Sequence, residues 1–356
     1  MKRIAIITFH ENNNFGAHLQ MYGLYRKLND IGYDCHLLNY RCERVFRVGA
    51  PHPLKFTWNL KNFIIDVIYG AQKRKKYKKL LEFQDKYVTN KTKQYDIDSI
   101  KSISENFDAY IVGSDMVWGL DVTDHDYTYF LDFVQKTTKK LTYGSSIGKD
   151  WTEDERKKIA NLLEDFEYLS VRETETADQL ERMIGKRPDV VSDPTMLLTS
   201  KEWMPFVAPR QIKEKYVVVY FNSKDNKAIE DAKLYAQTNK CKVYMIGIEI
   251  AKDGYKCLPA YSIENFLSLI YHAEAVFTAS YHGMLFSLYF HKELYYYLRH
   301  PESRMLTAAN RLGVEERDAT KVDIFNMKDI DYTLVDQNLK AYRDYSINQL
   351  ANAINS

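Results

Sequence analysis

The chain lacks the residues and runs that mark several large protein classes. It has 4 cysteines in 356 residues, and Cys35, Cys42, Cys241 and Cys257 never stand in a CxxC spacing. That speaks against a disulfide scaffold or a cysteine-based zinc site, and reduced thiols are expected. No stretch approaches the roughly 20 apolar residues of a membrane span. The N-terminal run is broken at His10 and Glu11, so it reads as a first strand and not as a signal peptide; a cytoplasmic protein is expected. The net charge of +2 lacks the basic excess of a general nucleic-acid binder, and no nucleic-acid partner is expected. There is no Walker loop, no GxGxxG, no HExxH and no evident metal cluster. No dedicated metal site shows in the sequence, and no redox cofactor is expected.

What is present is an ordinary globular composition, 45% apolar and 28% charged, in a chain long enough for two domains. Tyrosine is abundant at 28 residues. Aromatic faces suit sugars, but tyrosine also fills half-wet cores, so the count alone decides nothing.

Strand and helix signals alternate. Arg3–Thr8 is β-rich, Gly16–Asp30 has helical spacing, and Tyr33–Asn39 is the next strand, a βαβ opening that implies a parallel, right-handed unit. A helix-rich insertion runs from about Phe56 to Val88. Ala109–Val112 and Leu141–Ser145 read as strands, and Thr152–Phe166 as a helix opened by a Thr-Glu-Asp cap. Short strands follow at Leu169–Arg172 and Val190–Val191, and the proline-containing stretch Lys201–Lys215 reads as a boundary. Beyond it come strands at Tyr216–Phe221, Lys242–Gly247, Ala275–Thr278 and Leu294–Leu298, helices at Lys227–Thr238 and Ser262–His272, and a final helix at Asp336–Ile354. The expectation is an α/β chain of two Rossmann-like domains facing a cleft, spanning 1–200 and 201–335, with a tail helix in 336–356 packing back toward the first domain.

The most informative segment is Val276–Leu288, V-F-T-A-S-Y-H-G-M-L-F-S-L. It reads as a buried strand, a sharp turn carrying His282, and a helix starting at Gly283. In an α/β domain such a turn lies at the carboxyl end of a parallel strand, where ligands bind. Helix N–H groups favour an anion there, and histidine exchanges a proton near neutrality. The plainer alternative is that His282 only caps the helix. Other segments carry the same duality. His10-Glu11-Asn12-Asn13-Asn14-Phe15-Gly16 offers polar groups for sugar hydroxyls or simple turn chemistry. Asp115, after Gly113-Ser114, could accept from a sugar or cap the next helix. Arg172 could hold a phosphate or pair with Glu173. Arg299, Arg304, Arg311 and Arg317 follow the histidine turn, and arginine suits phosphate or carboxylate. Lys73–Lys79, after the apolar stretch Phe63–Tyr69, is either a solvated face or a basic contact for an anionic membrane surface.

Taken in order, I-A-I-I-T-F-H-x-x-x-N-F-G-A-x-L-Q-x-Y-G-L, D-A-Y-I-V-G-S-D-x-V-W, S-V-R-E, V-S-D-P-T-M-L-L, S-Y-H-G-M and S-R-x-x-x-A-A-N-R-L-G resemble the polysaccharide pyruvyl transferase family, from about Lys2 to Arg317. The resemblance implies a fold like the B-type glycosyltransferases, phosphoenolpyruvate as donor substrate, and a sugar or lipid-linked oligosaccharide acceptor that receives a pyruvate ketal in bacterial surface polysaccharide biosynthesis. It implies His282 as catalytic residue, with Arg172, Ser280, Tyr281, Gly283 and Arg304 on the donor side and His10, Asn14, Gly16 and Asp115 on the acceptor side. Family members often read R-L-H where this chain has Ser280-Tyr281-His282, so another arginine, such as Arg304, must supply that charge. Peripheral contact with the inner membrane surface is the partner expectation. The alternatives are a nucleotide-sugar glycosyltransferase of the same fold and a non-catalytic sugar-binding relative.

Overall fold

The computed structural model describes residues 1–51, 60–221, 226–247, 254–299 and 303–356. The chain divides into two compact units. The first comprises Met1–Ala50, Leu81–Leu198 and Ala341–Ser356, the second Pro51–Leu80 and Thr199–Lys340.

The first unit is built on a four-stranded parallel sheet of order β2-β1-β3-β4, formed by β1 (Arg3–Ile7), β2 (Asp34–Leu37), β3 (Ala109–Val112) and β4 (Lys139–Thr142). Ile4 pairs with Cys35 on one side and Ala109 on the other, and Ala109 pairs in turn with Lys139. The continuous apolar runs of β1 and β3 are buried, as expected for a sheet covered on both faces. A two-stranded parallel pair, β5 (Ser170–Val171) and β6 (Asp189–Val190), continues the edge through bridges Leu141–Tyr168 and Ser145–Val171. The helix Phe15–Asp30 follows β1 and buries twelve of its sixteen residues. It can approach the Pro194–Leu197 turn because residue 23 is glycine: a Cβ there would lie 2.4 Å from the Pro194 carbonyl oxygen. The end of the C-terminal helix Tyr332–Asn355 docks on this unit. Arg343 donates to the Met196 carbonyl at 2.6 Å, and the Ser192 N–H donates to Ser346 Oγ at 2.9 Å.

The second unit carries a five-stranded parallel sheet of order β11-β10-β7-β8-β9: β7 (Tyr216–Tyr220), β8 (Lys242–Ile246), β9 (Lys256–Leu258), β10 (Ala275–Thr278) and β11 (Glu293–Tyr296). The β-branched run Y-V-V-V-Y of β7 is wholly buried at its centre. Val217 and Val219 pack in one cluster with Ala228, Ala232, Phe277 and Tyr295. In both sheets the order reverses beside the first strand, between β1 and β3 and between β7 and β10. Ligands of open α/β sheets bind outside the carboxyl ends at such reversals.

The insertion expected from Phe56 is a helix over Leu60–Tyr87, and Phe56–Asn59 lie outside the described residues. Residues 51–80, placed within the first domain by the sequence reading, group with the second unit. The side chains of Phe63–Asp66 and Ile68, most of the apolar stretch, are outside the described ones. The basic cluster is not wholly solvated. Lys75 sits 4.2 Å over the Tyr261 ring, and burial pushes the Lys76 ammonium down to about 8. Among the described residues no helix is long and apolar enough to cross a membrane.

Gly23→Ala should cost about 1–3 kcal/mol of first-unit stability, because the methyl group meets backbone atoms that must move. Urea denaturation of the variant against wild type checks this.

Candidate functional site

In the second unit, β10 ends at Thr278 and the helix Tyr281–Tyr289 begins three residues later. The sequence reading started this helix at Gly283. It starts earlier because Thr278 Oγ1 accepts the Ser280 N–H at 3.0 Å while donating to the Tyr220 carbonyl at 2.6 Å, which closes the turn within Ala279 and Ser280. His282 therefore lies in the first helical turn, half-buried at the carboxyl end of the sheet. The N-cap is Ser280, whose side chain makes no cap bond, so His282 does not cap the helix. Gly283 is required by packing: a Cβ would sit 2.5 Å from Thr278 Oγ1 and 2.9 Å from the Tyr220 ring. The Tyr281 ring meets His282 edge-on, with centroids 5.3 Å apart, and the Arg304 guanidinium lies 5.9 Å from the Tyr281 centroid. The structure thus gathers His282, Tyr281, Gly283, Ser280 and Arg304. Arg299 lies over Phe221, 5.8 Å from its centroid. Arg311 is exposed. Arg317 is a structural residue: it is buried, donates to the Leu294 and Lys328 carbonyls, and pairs with Glu293.

In the first unit, the loops after β1, β3, β4, β5 and β6 form a buried polar network. Arg172, 3% exposed, donates Nη1 to Asp193 at 2.9 Å and Nε to Ser146 Oγ at 3.0 Å. Its Nε is 3.8 Å from Glu173, and its Nη2 is 4.0 Å from Asp115 Oδ1. Ser146 donates to Glu173 at 2.7 Å, and Asp193 accepts from the Thr195 N–H and hydroxyl. Arg172 is therefore paired with both its neighbour and more distant carboxylates.

Asp115 stands at φ +79°, a left-handed conformation that costs a non-glycine residue of order 1–3 kcal/mol. Its Oδ1 accepts the Met116 N–H at 2.9 Å and its carbonyl accepts the Ser146 N–H at 3.0 Å. It does not cap the next helix, Leu120–Thr123, whose N-cap is Gly119. Asn14 is the N-cap of Phe15–Asp30, and its Oδ1 accepts the Gly16 N–H at 2.9 Å; both residues thereby perform turn chemistry. His10 is buried, with Nδ1 3.0 Å from the Thr8 carbonyl and Nε2 3.1 Å from Asn39 Oδ1. Burial, the largest influence, holds its imidazole below the ordinary value, against the opposing pull of these hydrogen bonds and Glu11. A small aromatic pocket beside it is lined by Tyr40, Arg41, Phe46 and Tyr129, with Arg41 paired to Glu11.

The sequence reading did not single out Gln20, Ser146, Asp193 or Thr8. Gln20 is fully buried and donates to Thr8 Oγ1 at 2.9 Å, and Thr8 donates to the Ser114 carbonyl at 2.8 Å, joining the loops after β1 and β3. The signal is a glutamine flanked by Leu19 and Met21 on the buried side of the helix. Among the described residues there is no group of three or more His, Cys, Asp or Glu side chains that could hold a metal ion.

Arg172→Met should leave Asp193 buried without its cation and cost roughly 3–5 kcal/mol, measurable by chemical denaturation. His10 gives a pH signature. Its folded-state proton affinity lies below that of the unfolded chain, so its contribution to stability is complete above about pH 6.5 and is lost as pH falls below it. His10→Gln should flatten the stability profile on that acid side.

A family model described as polysaccharide pyruvyl transferase matches residues 14–300. Among solved structures, the chain resembles the UDP-GlcNAc 2-epimerase of Methanocaldococcus jannaschii, with 12% identity, 97% of this chain and 99% of that one covered, and TM-score 0.54. It also resembles S. aureus MnaA in complex with UDP, with 11% identity, 99% and 95% coverage, and TM-score 0.53. A third likeness is to Arabidopsis thaliana UGT89C1 complexed with UDP-L-rhamnose, with 11% identity, 99% coverage of both chains, and TM-score 0.50. At these identities the likeness is one of fold, that of the B-type glycosyltransferases and UDP-GlcNAc 2-epimerases. A comparison with curated proteins gives no match.

Proposed function

Because the chain belongs to the polysaccharide pyruvyl transferase family, we propose that it transfers pyruvate from phosphoenolpyruvate to a pair of sugar hydroxyls, forming a ketal in bacterial surface polysaccharide biosynthesis. The observation that carries the reading is the gathering of His282, Tyr281 and Arg304 at the carboxyl end of β10, on a helix start held against the sheet by Gly283.

The chemistry divides by charge. The donor bears a phosphate and a carboxylate, which suit the N–H groups of a first helical turn and a guanidinium. Arg304 is assigned that role in place of an arginine at Ser280. Protonation of the donor's methylene carbon generates an oxocarbenium-like centre at C2, and His282 is the general acid. A sugar hydroxyl adds to C2, the C2–O bond to phosphate breaks, and the second hydroxyl closes the ring. Each hydroxyl loses one proton, and inorganic phosphate leaves. Acceptor hydroxyls are assigned to the first unit, at the strand ends that carry Asp115 and His10. The acceptor class is a sugar or lipid-linked oligosaccharide, with Lys73–Lys79 as the segment for contact with an anionic lipid surface. The protein then works in the cytoplasm.

Labelled phosphoenolpyruvate incubated with a panel of lipid-linked sugars tests the reading. Wild type should move the label to an acceptor and release phosphate. His282→Gln should melt like wild type and turn over about 10²-fold or more slowly; near-normal turnover removes His282 from the mechanism. A thermal shift with nucleotide sugars and none with phosphoenolpyruvate would favour a glycosyltransferase.

A further inference from the structure

Among the residues on the acceptor side, Asn14, His10 and Asp115 differ in whether they could take a proton from a hydroxyl. Asn14 carries no basic group, and its side-chain oxygen is used by the Gly16 N–H. His10 has both ring nitrogens engaged within a buried setting. Asp115 differs from both. Oδ1 is tied to the Met116 N–H and faces Arg172, whereas Oδ2 has no protein partner among the described residues, and the side chain retains 15% exposure. The preceding Ser114 Oγ, buried at the same turn, also lacks a hydrogen-bond partner among the described residues.

The backbone adds an independent observation. Asp115 is held at φ +79° although it is not glycine. Strain of this kind persists only where surrounding contacts over-determine it, and it clusters at functional sites. Here those contacts are visible. The Ser146 N–H holds the Asp115 carbonyl, Ser146 Oγ is held by Arg172, and Arg172 is locked to Asp193. The residue also sits where the sheet order reverses between β1 and β3, the ligand position of an open α/β sheet. A glycine would occupy this turn without strain; aspartate tolerates it through the bond from the Met116 N–H to Oδ1, which leaves Oδ2 unused by the turn.

We propose that Asp115 is the base that accepts the proton of the attacking acceptor hydroxyl, and that Arg172 and Ser146 are positioning residues that hold its carboxylate. The assignment rests on the transferase reading above. As the hydroxyl oxygen bonds to the donor carbon, its proton passes to Oδ2, and the resulting acid returns it to water or to the departing phosphate. No redox change and no further reactant is involved.

The test uses the full chain with whichever donor the wild type consumes, phosphoenolpyruvate or a nucleotide sugar, since both reactions must deprotonate an acceptor hydroxyl. Failure of the pyruvyl-transfer reading is then seen in the donor used, and failure of this assignment in the variants. Asp115→Gly should melt at or above the wild-type temperature, because it relieves the strained φ. Its kcat should fall about 10²–10⁴-fold with the donor KM unchanged, and added formate should restore part of that loss in a concentration-dependent way while leaving wild type unaffected. Asp115→Asn keeps the side-chain shape without the base and should show the same loss without rescue. Near wild-type kcat in Asp115→Asn, or a loss in Asp115→Gly that formate does not restore, overturns the proposal.

Discussion

The first unit depends on one buried cation. The Arg172 guanidinium, at the end of a two-residue strand, reaches the loop after β4 through Ser146, the loop after β6 through Asp193, and the loop after β3 across 4.0 Å to Asp115. Several carboxylates share this single positive charge, so removing it would unbalance all of them in a low-dielectric setting. Loops are ordinarily the variable part of an α/β domain. Here they are tied to one another as tightly as the strands beneath them, and the strained turn at Asp115 is a product of that tying.

The second unit solves the same problem with a hydroxyl and an absent side chain. Thr278 bridges β7 to the turn, and Gly283 lets the helix sit against both. Neither device requires charge, and the Arg304 guanidinium lies 5.9 Å from the ring of Tyr281, the neighbour of His282. One unit therefore carries a carboxylate-rich network at its strand ends, and the other a helix start with an arginine nearby. Both edges lie on parallel sheets of the kind shared with B-type glycosyltransferases.

Much of the fold was legible because parallel strands buried on both faces read as short apolar runs. Ala109–Val112 and Ala275–Thr278 were delimited to the residue, and the capping box at Thr152 marked its helix. The errors arose where a single hydrogen bond decided the outcome. The start of the helix at Tyr281 turns on Thr278 Oγ1, and of the two roles open to Asp115 the helix cap falls to Gly119 instead. The helix Thr174–Ile184 was overlooked although Ala177, Leu180 and Ile184 stand at helical spacing. The grouping of 51–80 with the second unit is a tertiary fact that no local period encodes. His282, Tyr281 and Arg304 are named from an ordered set of motifs; Gln20 and Asp193 stand in the same motifs but are not singled out by them, because their importance is a matter of partners.

The Thr278 turn also limits the ways in which the site can move. Its hydroxyl both gives and receives a hydrogen bond across the two residues before the helix, and the glycine leaves no slack between helix and sheet. The first helical turn cannot rock without breaking those bonds and opening a gap beside Tyr220. The backbone of His282 is therefore a fixed pivot, and any change in where its ring points must come from its own two side-chain torsions and not from a rearrangement of the fold.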